Sequence, residues 1–296
     1  MNIWICAVAK MEELYIREWI EWNKKIGVDH IVIGDNNDSD YNKPLCPIIQ
    51  DYINDGYVEV INKNDVLHVQ QPFYNEVYKN INTKCDWIGF IDIDEFIELP
   101  AYNNNIHLFL DDNKFKQSDA VILCWKIFND NEQIYYENKP VKERFKKYIY
   151  KTDIGIKFFI KTNIKNIQYL HSIHNPINSR YINKNILIKC IDVLGNPNFK
   201  RICVSHFNQF SEIICNEQYY NIAYISHYVT KSTEEYIKYK ALRGRCDKKY
   251  NYFIRYTKDF YFSINNKTKE KLELFDKYEN IIKDIQNKEL KKYSIF

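Results

Sequence analysis

The sequence predicts an α/β fold, with a mainly parallel central sheet flanked by helices and a helical C-terminal extension. Three observations carry this expectation. Short apolar runs and helical patterns alternate four times in the first 92 residues, with short links between them. Each of three apolar runs ends in a polar or acidic cluster: Lys10 to Glu13, Asp35 to Asp40, and Asp92 to Glu95. The last stretch of the chain carries Leu272, Phe275, Tyr278, Ile282 and Ile285 at helical spacing.

The elements follow in order. Ile3 to Ala9 is an apolar run readable as a buried strand. A helix follows, with Leu14, Trp19, Ile20 and Ile26 broadly on one side and Gly27 as its stop. His30 to Gly34 is a second strand, and Pro44 to Asn54 a second helix ending near Gly56. Tyr57 to Ile61 is a third strand, and Gln71 to Asn82 a third helix. Asp86 to Asp92 is a fourth strand, which would place Asp92 and Asp94 on one face of its end. Beyond it, Ala120 to Phe128 and Asn221 to Val229 read as strands, whereas 144 to 205 reads as irregular or β-rich. Thr233 to Arg245 reads as a helix, with Ser232 as N-cap and Glu235 completing a capping box. The domain expectation is one unit over 1–250 and an aromatic, basic helical extension over 251–296.

Composition removes several function classes. Only 7 glycines occur, and none builds a Gly-rich phosphate or dinucleotide loop. A net charge of +3 is too weak for a nucleic-acid binder. The 8 cysteines form no CxxC pair and read as reduced core residues of a cytoplasmic protein. No signal peptide or membrane span is evident. The segment Tyr252 to Lys258 suits an interface, either core packing or peripheral contact with the inner face of a membrane.

The strand-end clusters carry the chemistry. In parallel α/β sheets, ligands bind at the carboxyl ends of strands. Two neighbouring carboxylates repel unless a cation bridges them or one is protonated. A hard divalent cation such as Mn²⁺ or Mg²⁺ relieves that repulsion and neutralises a diphosphate. The bland alternative for Asp92 and Asp94 is an Asp-rich surface turn.

The segment Asp86-Trp87-Ile88-Gly89-Phe90-Ile91-Asp92-Ile93-Asp94-Glu95-Phe96 resembles the signature of GT-A glycosyltransferases of the family 2-like and family 92 group. Three further segments are similar to blocks of that group: Lys10 to Ile20, Gly27 to Asn36, and His227 to Tyr236 with Lys240 and Arg243-Gly244. They keep their order from residue 3 to 245. Met11 departs from an Asn usual in the opening block, and Asn23 from a frequent His.

The resemblance implies a metal-dependent enzyme that moves a sugar from a nucleotide-diphosphate donor, UDP-sugar favoured. The acceptor would be a glycan or lipid-linked hydroxyl, and transfer would invert the sugar, in surface polysaccharide or glycoconjugate synthesis. Lys10, Glu12, Asp35 and Asn36 would lie near base and ribose, and Asn75 near the donor. Asp92 and Asp94 would serve ribose and metal, with Asp94 the direct ligand and His227 a second one; a packed strand histidine is the alternative. Lys231 and Ser232 would hold the diphosphate, with a solvated lysine as the alternative. Glu95, Glu234 and Glu235 are candidates for the base that deprotonates the acceptor. His171 and His174 mark a candidate acceptor region. A metal-dependent nucleotidyltransferase or phosphohydrolase is the competing enzyme class.

Overall fold

The computed structural model describes residues 1–81, 84–149, 155–164, 189–196, 216–241 and 257–293. Among these residues ten strands form one sheet: β1 (Ile3–Ala9), β2 (His30–Asp35), β3 (Val58–Asn62), β4 (Trp87–Phe90), β5 (Glu95–Glu98), β6 (Ala120–Phe128), β7 (Tyr148–Ile149), β8 (Ile156–Lys161), β9 (Cys190–Asp192) and β10 (Tyr224–His227). The helices are α1 (Ile16–Lys25), α2 (Gln50–Asn54), α3 (Gln70–Asn80), α4 (Ile106–Leu110), α5 (Val141–Arg144), α6 (Glu217–Tyr220), α7 (Thr233–Glu235), α8 (Lys258–Phe262) and α9 (Lys269–Tyr293). The segment Tyr236–Ala241 is a π-helix that continues α7. The chain thus adopts the mainly parallel α/β sheet that the sequence predicts.

The sheet runs β3-β2-β1-β4-β8-β6-β10-β5. The first four strands are parallel. β8 is antiparallel to both β4 and β6, so two reversals return β6 and β10 to the direction of β4. The carboxyl ends of β1, β2, β4 and β10 therefore share one edge. β5 runs against β10, so its first residue, Glu95, sits at that edge opposite His227. For the same reason Lys157, second residue of β8, lies there too.

β1 is buried along its whole length, because both of its neighbours are strands and helices cover its faces. α1 buries Ile16, Trp19 and Ile20, and the Trp19 indole donates to the Glu95 carbonyl at 2.9 Å. Asn23, where the family pattern often has His, is fully buried and bonds back to the Trp19 carbonyl, a packing role. Gly89 is required by close approach: a Cβ there would lie 2.7 Å from the Phe159 ring on β8.

Several expectations need correction. β4 ends at Phe90, so Asp92 and Asp94 lie in a turn and not at one strand face. The turn forms because the Glu95 Oε2 accepts the Asp92 backbone N–H at 3.0 Å, which folds the chain into β5. The helix expected from Thr233 has three α-helical residues before the π-helix. Cys124 is disulfide-bonded, which overturns the reading of all cysteines as reduced; Cys6, Cys46 and Cys85 are free thiols.

The extension packs on the body through a second, smaller core. Tyr236 and Ile237 of the π-helix meet Tyr261 and Phe275 of α8 and α9. A buried polar link joins them: Asp130 accepts from Lys271 Nζ and Tyr261 Oη, both at 2.5 Å, and that hydroxyl lies 2.8 Å from Thr233 Oγ1. Lys258, from the proposed interface stretch, pairs with Asp276 of α9. No helix among the described residues is long and apolar enough to cross a membrane.

Candidate functional site

The common strand edge gathers residues from several elements. Asp92 accepts from Lys157 Nζ at 2.8 Å and Gln70 Nε2 at 2.9 Å. Lys157 also lies 3.2 Å from Glu95 Oε2, so one fully buried ammonium holds two carboxylates. Burial opposes that charge, but Asp92 and Glu95 together raise the lysine pKa above its ordinary value. Asp92 keeps part of its side chain exposed, at 28%.

Asp94 points the other way. Its Oδ2 accepts from Lys240 Nζ, and His227 Nε2 lies 3.7 Å from the same oxygen. Burial would favour the neutral acid, yet Lys240, His227 and Lys231 hold the carboxyl well below its ordinary range. Burial lowers the His227 pKa below its ordinary value, against the pull of Asp94. Its ring packs against Trp125 at a tilt of 51°, with centroids 4.4 Å apart. This is the face-sharing pair that a strand residue two positions from its sheet partner produces.

Lys231 links this group to the end of β1. Its backbone is left-handed, with φ of 55°, and its side chain is buried. The ammonium lies 4.0 Å above the Tyr15 ring. Burial lowers its pKa, while Glu12 and Asp94 both act to keep it charged. Glu12, Lys231, Asp94 and Lys240 therefore alternate in sign across the edge.

At the β1 and β2 ends, Lys10 pairs with Asp38 at 3.0 Å. Asp35 accepts the Asn37 N–H at 3.1 Å, and the Asn37 side chain accepts the Met11 N–H at 2.7 Å. Met11 has φ of 51°. Asn, the residue usual at this place, tolerates that conformation better than Met does. The Asn36 amide is spent on the Lys63 and Val66 carbonyls, 2.8 and 2.9 Å away, and so braces the loop after β3. Asn75 bonds its own helix at the Gln71 carbonyl, 2.9 Å away.

The other expected carboxylates have structural partners. Glu235 accepts both guanidinium arms of Arg144 at 2.7 and 2.8 Å and the Tyr15 hydroxyl at 2.8 Å. Ser232 caps α7, with its hydroxyl accepting the Glu235 N–H, so the predicted capping box is present. Glu234 pairs with Lys238 and accepts the Tyr136 N–H. Glu95 is fully buried, and its Oε1 has no hydrogen-bond partner; burial, despite Lys157, pushes its pKa well up. His171 and His174 lie outside the described residues.

Sequence reasoning passed over Lys157, Gln70 and Arg144. A lysine inside the apolar run Ile156-Lys157-Phe158-Phe159-Ile160 was the available signal for the first. Lys240 was part of a motif without a role.

Among the described residues, no group of three or more His, Cys, Asp or Glu side chains is spaced to hold a metal ion. The donor chemistry at Asp94 still suits a divalent cation: a carboxyl held well below its ordinary range stands 3.7 Å from an imidazole nitrogen. The Lys240 ammonium lies against the same Asp94 oxygen that His227 approaches. Two protein ligands suffice for such an ion when substrate phosphates and water complete its shell.

The pattern of glycosyltransferase family 92 matches residues 5–292. The chain belongs to glycosyltransferase family 92. The match runs from β1 into α9, so this family 92 pattern includes most of the extension. A family 92 protein of Oryza sativa subsp. japonica is 28% identical over 109 residues, covering 33% of this chain and 16% of that protein. One of Arabidopsis thaliana is 27% identical over 106 residues, covering 34% and 17%. The matched stretch thus spans about a sixth of these relatives' length. Among solved structures, S. aureus TarS 1–349 is 18% identical and covers 46% of this family 92 chain and 39% of that chain, with a TM-score of 0.33. Galactosyltransferase LgtC, solved with donor and acceptor sugar analogs, is 11% identical, covers 90% and 98%, and has a TM-score of 0.36.

Proposed function

We propose that this chain transfers a glycosyl unit from a nucleotide-diphosphate sugar, with UDP-sugar favoured, to a hydroxyl of a glycan or lipid-linked acceptor, in surface polysaccharide or glycoconjugate synthesis. The observation that supports it best is the convergence of Asp94, His227 and Lys231 at the edge where β1 and β2 also end. Family membership supplies the reaction class, and the edge supplies groups for both halves of a donor.

In this reading, Lys10, Glu12 and Asp35 face the base and ribose at the ends of β1 and β2. Asn36 and Asn75 shape that wall through the backbone. Asp92 presents its exposed carboxylate edge to the ribose while Lys157 anchors it from below. Lys231 offers an ammonium to the diphosphate, and the Ser232 cap holds its backbone in place. Asp94 and His227 hold Mn²⁺ or Mg²⁺. A bound cation would neutralise charge on the leaving nucleoside diphosphate. Glu95 holds the turn and Lys157; Glu234 and Glu235 hold the wall that carries Lys231. Transfer is by single displacement with inversion: the acceptor oxygen bonds the anomeric carbon as its bond to the diphosphate breaks, and a general base takes the acceptor proton.

A screen of UDP-, GDP- and CDP-sugars with Mn²⁺ tests the reading. Release of nucleoside diphosphate with free or transferred sugar is expected. Release of nucleoside monophosphate or pyrophosphate would point to phosphohydrolase or nucleotidyltransferase chemistry instead. Asp94→Asn should cut diphosphate release by on the order of a hundredfold or more.

A further inference from the structure

We infer that Lys240 is a resident counter-ion that a divalent cation must displace, so that cation and nucleotide diphosphate enter this site together and neither binds well alone. The inference rests on the proposed donor chemistry and deepens it.

Three observations carry it. The Lys240 ammonium and His227 Nε2 address the same oxygen, Oδ2 of Asp94. A cation ligated by Asp94 and His227 would need the place that the ammonium takes. Lys231 stands beside them as a second ammonium; among the described residues it has the Tyr15 ring against it and no hydrogen bond or ion pair. A doubly charged ion arriving alone would meet two buried like charges in a medium of low dielectric, which is costly. Finally, Lys240 sits on a π-helix, a form often found as single turns at functional sites.

A diphosphate changes the balance. Its oxygens accept from ammonium groups, so Lys240 and Lys231 gain a new partner at the same edge. A lysine side chain has a flexible four-carbon stem, so Lys240 can leave Asp94 without a backbone shift. Asp94 is then open to the cation, which also binds the diphosphate. By linkage, each ligand raises the other's affinity by the same factor.

The test is Mn²⁺ binding to the full chain, read as free Mn²⁺ by electron paramagnetic resonance, with and without UDP or GDP. Wild type should bind Mn²⁺ weakly alone and roughly tenfold or more tightly with nucleotide. Lys240→Met should bind Mn²⁺ alone roughly tenfold more tightly than wild type and lose most of the coupling. Lys240→Arg keeps the charge and should behave as wild type. Equal Mn²⁺ affinity of Lys240→Met and wild type without nucleotide overturns the inference. So does a wild type that binds nucleotide with no change in Mn²⁺ affinity. If Lys240→Met does not fold, the wild-type comparison decides alone. Failure of every sugar nucleotide to bind would sink the proposed donor chemistry, while the Mn²⁺-only comparison would still decide the role of Lys240.

Discussion

The ammonium of Lys157 lies 2.8 Å from Oδ2 of Asp92, across 65 residues of chain. It is fully buried and also serves Glu95. Two carboxylates and the turn between β4 and β5 therefore depend on one cation. Removing one partner of a buried ion pair leaves uncompensated charge, at about 3–5 kcal/mol. Lys157→Met should lose stability on that scale in urea unfolding.

Glu95 separates a structural carboxyl from a general base. Its Oε2 closes the turn at the Asp92 N–H, and the side chain is enclosed. Glu95→Gln should leave nucleotide binding intact and lower kcat by less than about tenfold. Loss of a true base would cost about 10²–10⁴-fold. A loss in that higher range would make Glu95 the base.

Arg144 and Glu235 form a second buried pair, and its pH dependence has a definite sign. Burial raises the Glu235 pKa, but Arg144 more than reverses this, so the folded value lies below the ordinary 4.5. A depressed carboxyl stabilises the fold above its unfolded pKa, and the gain is lost as pH falls through the folded value. Glu235→Gln should cost about 3–5 kcal/mol at pH 7. The gap to wild type should narrow when urea unfolding is repeated below pH 4.5.

Glu234 provides the contrast. It is paired with Lys238 one helical turn away, at the surface. Such pairs contribute about 0–1 kcal/mol. Glu234→Ala should change the melting temperature little and leave donor turnover near wild type, measured as nucleoside diphosphate release.

Phe275 ties the extension to the wall of the site, since it packs on Tyr236 and Tyr261 at 6.1 and 5.2 Å between ring centroids. Phe275→Ala should lower stability by about 3–5 kcal/mol. Because Tyr236 begins the π-helix that carries Lys240, the same variant should raise the donor KM.

The strand and helix order of the first 90 residues was legible from period and punctuation alone. Apolar runs such as Ile3 to Ala9 are short, and each is bounded by polar residues. The capping box at Ser232 and Glu235 was legible for a similar reason, since its partners are three residues apart. Local patterns report local hydrogen bonds and burial, and those were enough to place Lys10, Asp35 and Asp92 near one edge; His227 came only from the family resemblance.

By itself, then, the sequence determined the α/β order, the strand-end position of the acidic turn and the family. Tertiary structure decided how each carboxylate is used. Asp92 and Asp94, two residues apart, turn to different lysines, Lys157 and Lys240, which lie 65 and 146 residues away. Glu235 became a partner of Arg144 over 91 residues. The physical reason is that a buried charge takes its protonation state and orientation from whichever counter-charge packing brings within a few ångströms. Spacing along the chain carries no record of that partner.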